Sequence, residues 1–153
     1  MKTRKGFTLV ELVIVVLILG ILAAVAVPRL FKTSSTAIDN GVRQTLKTVR
    51  DAIELYAADN AALPGAPGVD STGNPTSGDL AADLSSYIRG PFPRCPVGGA
   101  ANPQGIKYYT GTAALIGDSN PTEGWAYNSD TGEFIINYNG PTNTDPSVTY
   151  DKL

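Results

Sequence analysis

The chain has 153 residues, 42% of them hydrophobic, with 12 basic and 14 acidic side chains and a formal net charge of −2. That length suits one domain of moderate size, and the charge balance gives no electrostatic case for binding nucleic acid. Histidine is absent, which excludes Ser-His and Cys-His nucleophile pairs and histidine-ligated metal sites. No phosphate loop or dinucleotide fingerprint occurs either, so the expectation is a protein that is not an enzyme.

The first element is the stretch KGFTLVELVIVVLILGILAAVAVPRL, in which Glu11 is the only charge between Phe7 and Val27. These positions make about 30 Å of helix, the thickness of a bilayer's hydrocarbon core. Lys2, Arg4 and Lys5 precede the run and only Arg29 and Lys32 closely follow it. This bias predicts a cytoplasmic amino terminus with the polar remainder on the other side of the membrane. An ionised carboxylate in such a segment costs roughly 2.5–3.5 kcal/mol at the helix centre and less near the interface, so Glu11 needs a reason to be there. A secretory signal peptide is the rival reading, because Ala24-Val25-Ala26 fits a small-x-small cleavage site and would start the mature chain near Val27. Against it, the apolar run exceeds the usual 7–15 or so residues, Glu11 lies inside it, and the helical pattern continues past Pro28. Pro28 deprives the Ala24 carbonyl of its helical partner and predicts a kink. Gly20 weakens the helix on the other side.

A short basic leader ending in Gly6, followed in order by Phe7, Thr8, Leu9, Glu11, Leu12 and Pro28, resembles the class III leader and hydrophobic helix of type IV pilins and of the pseudopilins of type II secretion systems. The resemblance implies that a prepilin peptidase cuts between Gly6 and Phe7 and methylates the new amino group of Phe7, while the apolar segment stays attached. It further implies that Glu11 of one subunit pairs with the Phe7 amine of its neighbour. That amine has an unperturbed pKa of about 7.7–8.0, and leaving one member of a buried pair uncompensated costs about 3–5 kcal/mol. In the family, the segment corresponding to Gly20 through Pro28 is where the helix loosens on assembly, so the resemblance implies that these two residues bracket a hinge, with a static bend as the plain alternative.

Beyond the apolar run, Val42, Leu46, Val49, Ile53 and Tyr56 advance by four, three, four and three, which places five apolar side chains on one helix face while Arg43, Lys47, Arg50, Asp51 and Glu54 face elsewhere. The spacing predicts one long helix from Phe7 to about Asn60, with Gly41 a weak point. Its end, AIELYAADN, resembles the helix end of major pseudopilins. Leu63 to Gly78 is a loop by composition, with Pro64, Pro67 and Pro75. Asp79 then caps a short helix carrying Leu80, Leu84, Tyr87 and Ile88 on one face and ending at Gly90. Pro91, Pro93 and Pro96 make the next stretch extended. Strands are predicted at Ile106 to Thr110, Trp125 to Asn128 and Glu133 to Tyr138, the last two joined by a hairpin turn at Ser129-Asp130-Thr131-Gly132. Trp125 and Tyr127 share one face with Phe134 and Ile136 opposite, as core aromatics and aliphatics. The predicted fold is therefore α+β and pilin-like, a long amino-terminal helix on a small antiparallel sheet. Its divisions are a leader at 1–6, a membrane and assembly helix at 7–27, an amphipathic continuation at 28–62 and a globular head at 63–153.

Cys95 has no partner in the chain, so the head closes without the disulfide of many type IV pilins, and the thiol is expected to pack beneath the Pro-rich loop. The tail from Gly140 to Leu153 is polar and weakly patterned. Major pseudopilins bind calcium through an acidic carboxy-terminal loop. Here Asp118, Asn120, Glu123 and Asp130 are oxygen donors without a recognisable calcium-loop spacing, so no cofactor is expected and a calcium site is unsupported. The resemblance implies a structural subunit that polymerises through its helix into a type II secretion pseudopilus. The alternative is a type IV pilin forming a surface fibre for adhesion or motility. The implied partners are further copies of the chain, the prepilin peptidase, an inner-membrane assembly platform and minor pseudopilins. The implied location is the bacterial inner membrane, with the head in the periplasm.

Overall fold

The computed structural model describes residues 7–65, 68–69, 75–76 and 79–153; the expected leader and most of the expected loop at 63–78 lie outside the described residues, as do the side chains of Pro28, Phe31 and Lys32. The first element, α1, spans Leu9–Asn60 as one helix of 52 residues. Tertiary contacts divide the chain into two compact units at Ala37 and Ile38, so the two parts of α1 have different physical tasks.

In the first unit, Leu9–Val27 is long and apolar enough to cross a membrane, and none of it is buried. Its large side chains, from Leu9 through Val27, are exposed on every face. A helix apolar all round has no polar face to give to water, so this segment belongs in lipid or among other apolar helices.

In the second unit, the expected stripe is in place: Val42, Leu46, Val49 and Ile53 are buried and Tyr56 is half-buried. α1 stops at Asn60, whose Nδ2 donates to the Tyr56 carbonyl at 3.0 Å, and the next residue, Ala61, takes the left-handed conformation at φ 53°. Two short strands, β1 (Gly68–Val69) and β2 (Pro75–Thr76), pair antiparallel inside the expected loop. A short helix, α2 (Leu80–Asp83), begins where Asp79 accepts from the amides of Ala81 and Ala82 at 3.0 and 3.2 Å and continues as one 3-10 turn over Leu84–Ser86.

Three further strands form the main sheet in the order β3 (Asn102–Tyr109), β4 (Glu123–Asn128), β5 (Phe134–Ile136). The β4–β5 hairpin matches the expectation. Trp125 pairs with Ile136 and Tyr127 with Phe134, and the turn is held by the Asn128 side chain, which accepts from the amides of Asp130 and Thr131. The sheet is mixed and not wholly antiparallel, because β3 runs parallel to β4. The reason is the connection: Thr110 to Thr122 is far longer than a hairpin loop and of the length that a parallel crossover requires. The crossover also has a packing role, since Leu115 sits with Ala126 and Ile135 on one side of the sheet. On the other side Trp125, Tyr127, Phe134 and Ile136 meet the α1 stripe together with Leu80, Leu84, Cys95 and Tyr150. Covered on both faces, β4 and β5 are buried at nearly every position, which explains why the strands lack a clean alternation of apolar and polar residues.

Gly124 is one position where the fold requires glycine, because a Cβ there would run into the Pro103 carbonyl and the Cys95 side chain. Cys95 is accordingly buried beneath the Pro-rich segment, its thiol donating to the Val97 carbonyl at 3.6 Å. Burial raises its pKa above the ordinary thiol value.

Candidate assembly site at the start of the helix

Glu11 lies in the first turn of α1. Its carboxylate oxygen Oε2 accepts from the Thr8 backbone amide at 2.9 Å and from the Thr8 hydroxyl at 2.8 Å. The Glu11 amide in turn donates to Thr8 Oγ1 at 3.3 Å. Thr8 and Glu11 thus form a reciprocal capping box, in which two of the helix's orphan amides are satisfied by each other's side chains. The carboxylate also sits where the positive end of the helix dipole favours an anion. The T-x-x-E spacing is the sequence signature of this device, a signal present in Thr8 and Glu11 themselves.

The other expected site residues are distributed as follows. Phe7 is exposed, and Gly6 lies outside the described residues, so the junction between them is not described. α1 is helical through both position 20 and position 28, and a Cβ at Gly20 would meet nothing.

The expected oxygen donors for calcium do not converge. Asp118 accepts from Lys107 Nζ at 2.9 Å and from Asn137 Nδ2 at 3.2 Å, and the Lys107 ammonium holds its carboxyl below the usual carboxylate range. Asp130 instead accepts from the Gly111 amide, and Asn120 is exposed. Among the described residues, no three acidic, histidine or cysteine side chains gather as a metal site would need.

Two polar residues of α1 matter more than their sequence positions suggested. Asp39 is only 1% exposed, and its carboxylate accepts from the Tyr150 hydroxyl and Asn143 Nδ2 on Oδ1, and from the Thr144 amide and hydroxyl on Oδ2, at 2.5–3.0 Å. Burial pushes its pKa up, but the four donors outweigh this and leave it below the ordinary value. Arg50, expected to face elsewhere, donates through Nε and Nη2 to the Phe134 carbonyl at 3.0 and 2.8 Å and through Nη1 to the Leu153 carbonyl at 3.0 Å. It thereby covers the exposed edge of β5. Asp39 left one signal in the sequence: it lies three residues before Val42, so it continues the buried stripe with a charged residue.

Comparison with known proteins agrees with the helix and its start. Residues 1–27 match the prokaryotic N-terminal methylation motif. The type II secretion system core protein G of Pseudomonas aeruginosa is 38% identical over 63 residues, covering 41% of this chain and 44% of that protein. The type IV narrow pilus major component of Thermus thermophilus is 43% identical over 75 residues, covering 48% of this chain and 62% of that one. A fimbrial protein of Pseudomonas aeruginosa is 40% identical over 94 residues, covering 59% and 56%. The chain spans about half the length of the curated relatives it matches. No solved structure matches. The chain is thus similar, over part of its length, to type IV pilins and pseudopilins.

Proposed function

We propose that this protein is a structural subunit of a type II secretion pseudopilus. It is held in the inner membrane by Leu9–Val27, with a cytoplasmic amino terminus and a periplasmic head, and polymerises through that helix to help drive protein export. The observation that carries this reading is a methylation motif over residues 1–27 together with similarity to core protein G of secretion systems. In this reading a prepilin peptidase cuts after Gly6 and methylates Phe7. The new Phe7 amine of one copy is then neutralised by Glu11 of the next, Gly20 and Pro28 let the helix loosen as it leaves the membrane, and an assembly platform with minor pseudopilins guides addition. A surface type IV pilus is the second reading, favoured by the similarity to pilus components. The mature chain should begin with N-methylated Phe7 by mass spectrometry; a start near Val27 would overturn both readings. Deleting the gene should abolish export of folded proteins without removing surface fibres, and the reverse result would favour the pilus.

A further inference from the structure

We infer that Asn139 is a site of spontaneous chemical modification, at which attack by the backbone nitrogen of Gly140 converts the side-chain amide to a carboxylate. The inference is independent of which filament the subunit builds. The chain contains two Asn-Gly pairs, Asn40-Gly41 and Asn139-Gly140, and in each the second residue lacks a Cβ that would shield its nitrogen. Both asparagines are exposed, so exposure does not separate them. Their backbones do. Asn40 and Gly41 lie inside α1, where the Gly41 amide is committed to the carbonyl four residues earlier and the dihedrals are held at helical values. Asn139 and Gly140 lie outside every helix and strand, and among the described residues no hydrogen bond holds the Asn139 side chain or the Gly140 N–H. Elsewhere in the head, Asn128 is bound to the Gly111 carbonyl, Asn137 is buried and Asn143 is bound to Asp39, and none of the three precedes a glycine. The fold also demands the reactive neighbour, because a Cβ on Gly140 would run into the ring of Tyr138.

The reaction consumes only water. The Gly140 nitrogen gives up its proton and bonds to Cγ of Asn139, the Cγ–Nδ2 bond breaks, and Nδ2 leaves as ammonia carrying that proton. Water then opens the resulting cyclic imide at one of its two carbonyls. Opening at Cγ leaves aspartate. Opening at the backbone carbonyl leaves isoaspartate, in which the main chain runs through the former side chain and gains one carbon. Either product carries a new negative charge at neutral pH. The added carbon falls between two anchors: the Asn139 N–H donates to the Asp118 carbonyl at 3.1 Å, and the Gly140 carbonyl accepts from the Tyr150 N–H at 3.0 Å. Lengthening the chain there puts the second anchor out of register with the first, and Tyr150 is the residue whose hydroxyl reaches Asp39. The isoaspartyl product therefore slackens the attachment of the last segment to α1.

The test incubates the purified full-length protein in detergent at mildly alkaline pH in heavy-oxygen water, then digests it and follows by mass spectrometry the peptides that contain positions 40 and 139. Heavy oxygen marks the conversions that occur during incubation and not during digestion. A parallel sample in urea removes the fold and leaves the sequence. In the folded protein Asn139 should take up the label, as a mixture of aspartate and isoaspartate, while Asn40 should react at least about tenfold more slowly, the effect of only about 1.4 kcal/mol of helix opening. In urea the two positions should react at similar rates. Asn139→Gln, which moves the amide carbon one bond further from the Gly140 nitrogen, should leave that peptide unlabelled. An unlabelled Asn139 in the folded protein would overturn the inference, as would equal labelling of Asn40 and Asn139 there. Label in the Asn139→Gln peptide would overturn it too, because the acid would then arise at another residue.

Discussion

At the scale of single residues, the carboxylate of Asp39 is matched to the arrangement of its donors. The Thr144 backbone N–H can only donate and approaches Oδ2, while the Asn143 side-chain amide gives its NH₂ to Oδ1 and to the Tyr150 hydroxyl. Asp39→Asn keeps size and shape, but its NH₂ either faces the Thr144 N–H or makes the Asn143 amide turn over and give up the bond from its Nδ2 to the Tyr150 hydroxyl. A buried donor without an acceptor costs about 1–3 kcal/mol, and Asp39→Asn should lower stability by about that amount. Urea unfolding of the full chain in detergent, followed by the fluorescence of the single tryptophan, Trp125, which is completely buried, measures it. An unchanged midpoint would show that the hydroxyls of Tyr150 and Thr144 rearrange without loss. Arg50 acts by similar logic at the sheet edge, where a lysine could not match the two parallel bonds its guanidinium makes to the Phe134 carbonyl.

At the scale of elements, α1 ends on a residue poorly suited to its conformation. Ala61 holds φ 53°, a region that costs an L-residue with a Cβ roughly 1–2 kcal/mol and costs glycine almost nothing. Ala61→Gly should therefore stabilise the head by about 0.5–1 kcal/mol after the extra chain entropy of glycine is allowed for, read as a rise in the same urea midpoint; a fall would mean that the Ala61 methyl packs usefully. The helix itself was legible from sequence because its signals are local: an unbroken apolar run, then a stripe at three- and four-residue spacing, then a Gly- and Pro-rich end. The hairpin was legible for the same reason, through the turn residues Ser129-Asp130-Thr131-Gly132. The parallel pairing of β3 was not, because strand direction depends on what lies between Tyr109 and Glu123, and those residues read only as a polar connection with a few apolar positions. The capping box was written in Thr8 and Glu11, while the Asp39 and Arg50 contacts were invisible because their partners lie 84–111 positions away.

At the scale of the whole molecule, Asp39 sets an acid limit. Its folded pKa lies below the ordinary value of 3.8, so its contribution to stability is present above that pH and is lost as the pH falls through the folded value. The head should keep its stability from neutrality down to about pH 4 and lose it below, and Asp39→Asn should flatten the acid limb of a curve of urea midpoint against pH; an acid limb unchanged in that variant would assign the loss to other carboxylates, Asp118 and Asp145 among them. The same contacts also impose an order in time. Asp39 is made early, whereas Asn143, Thr144 and Tyr150 come 104–111 residues later. At about 5–20 residues per second, roughly 5–20 seconds separate the acid from its donors. During that interval the helix is complete, but the head still lacks the ring of Tyr150 in its core and has an anion with nothing to bind it. A chain stopped short of Asn143 lacks every one of these donors, so the arrival of residues 143–150 is the moment at which the buried anion is satisfied.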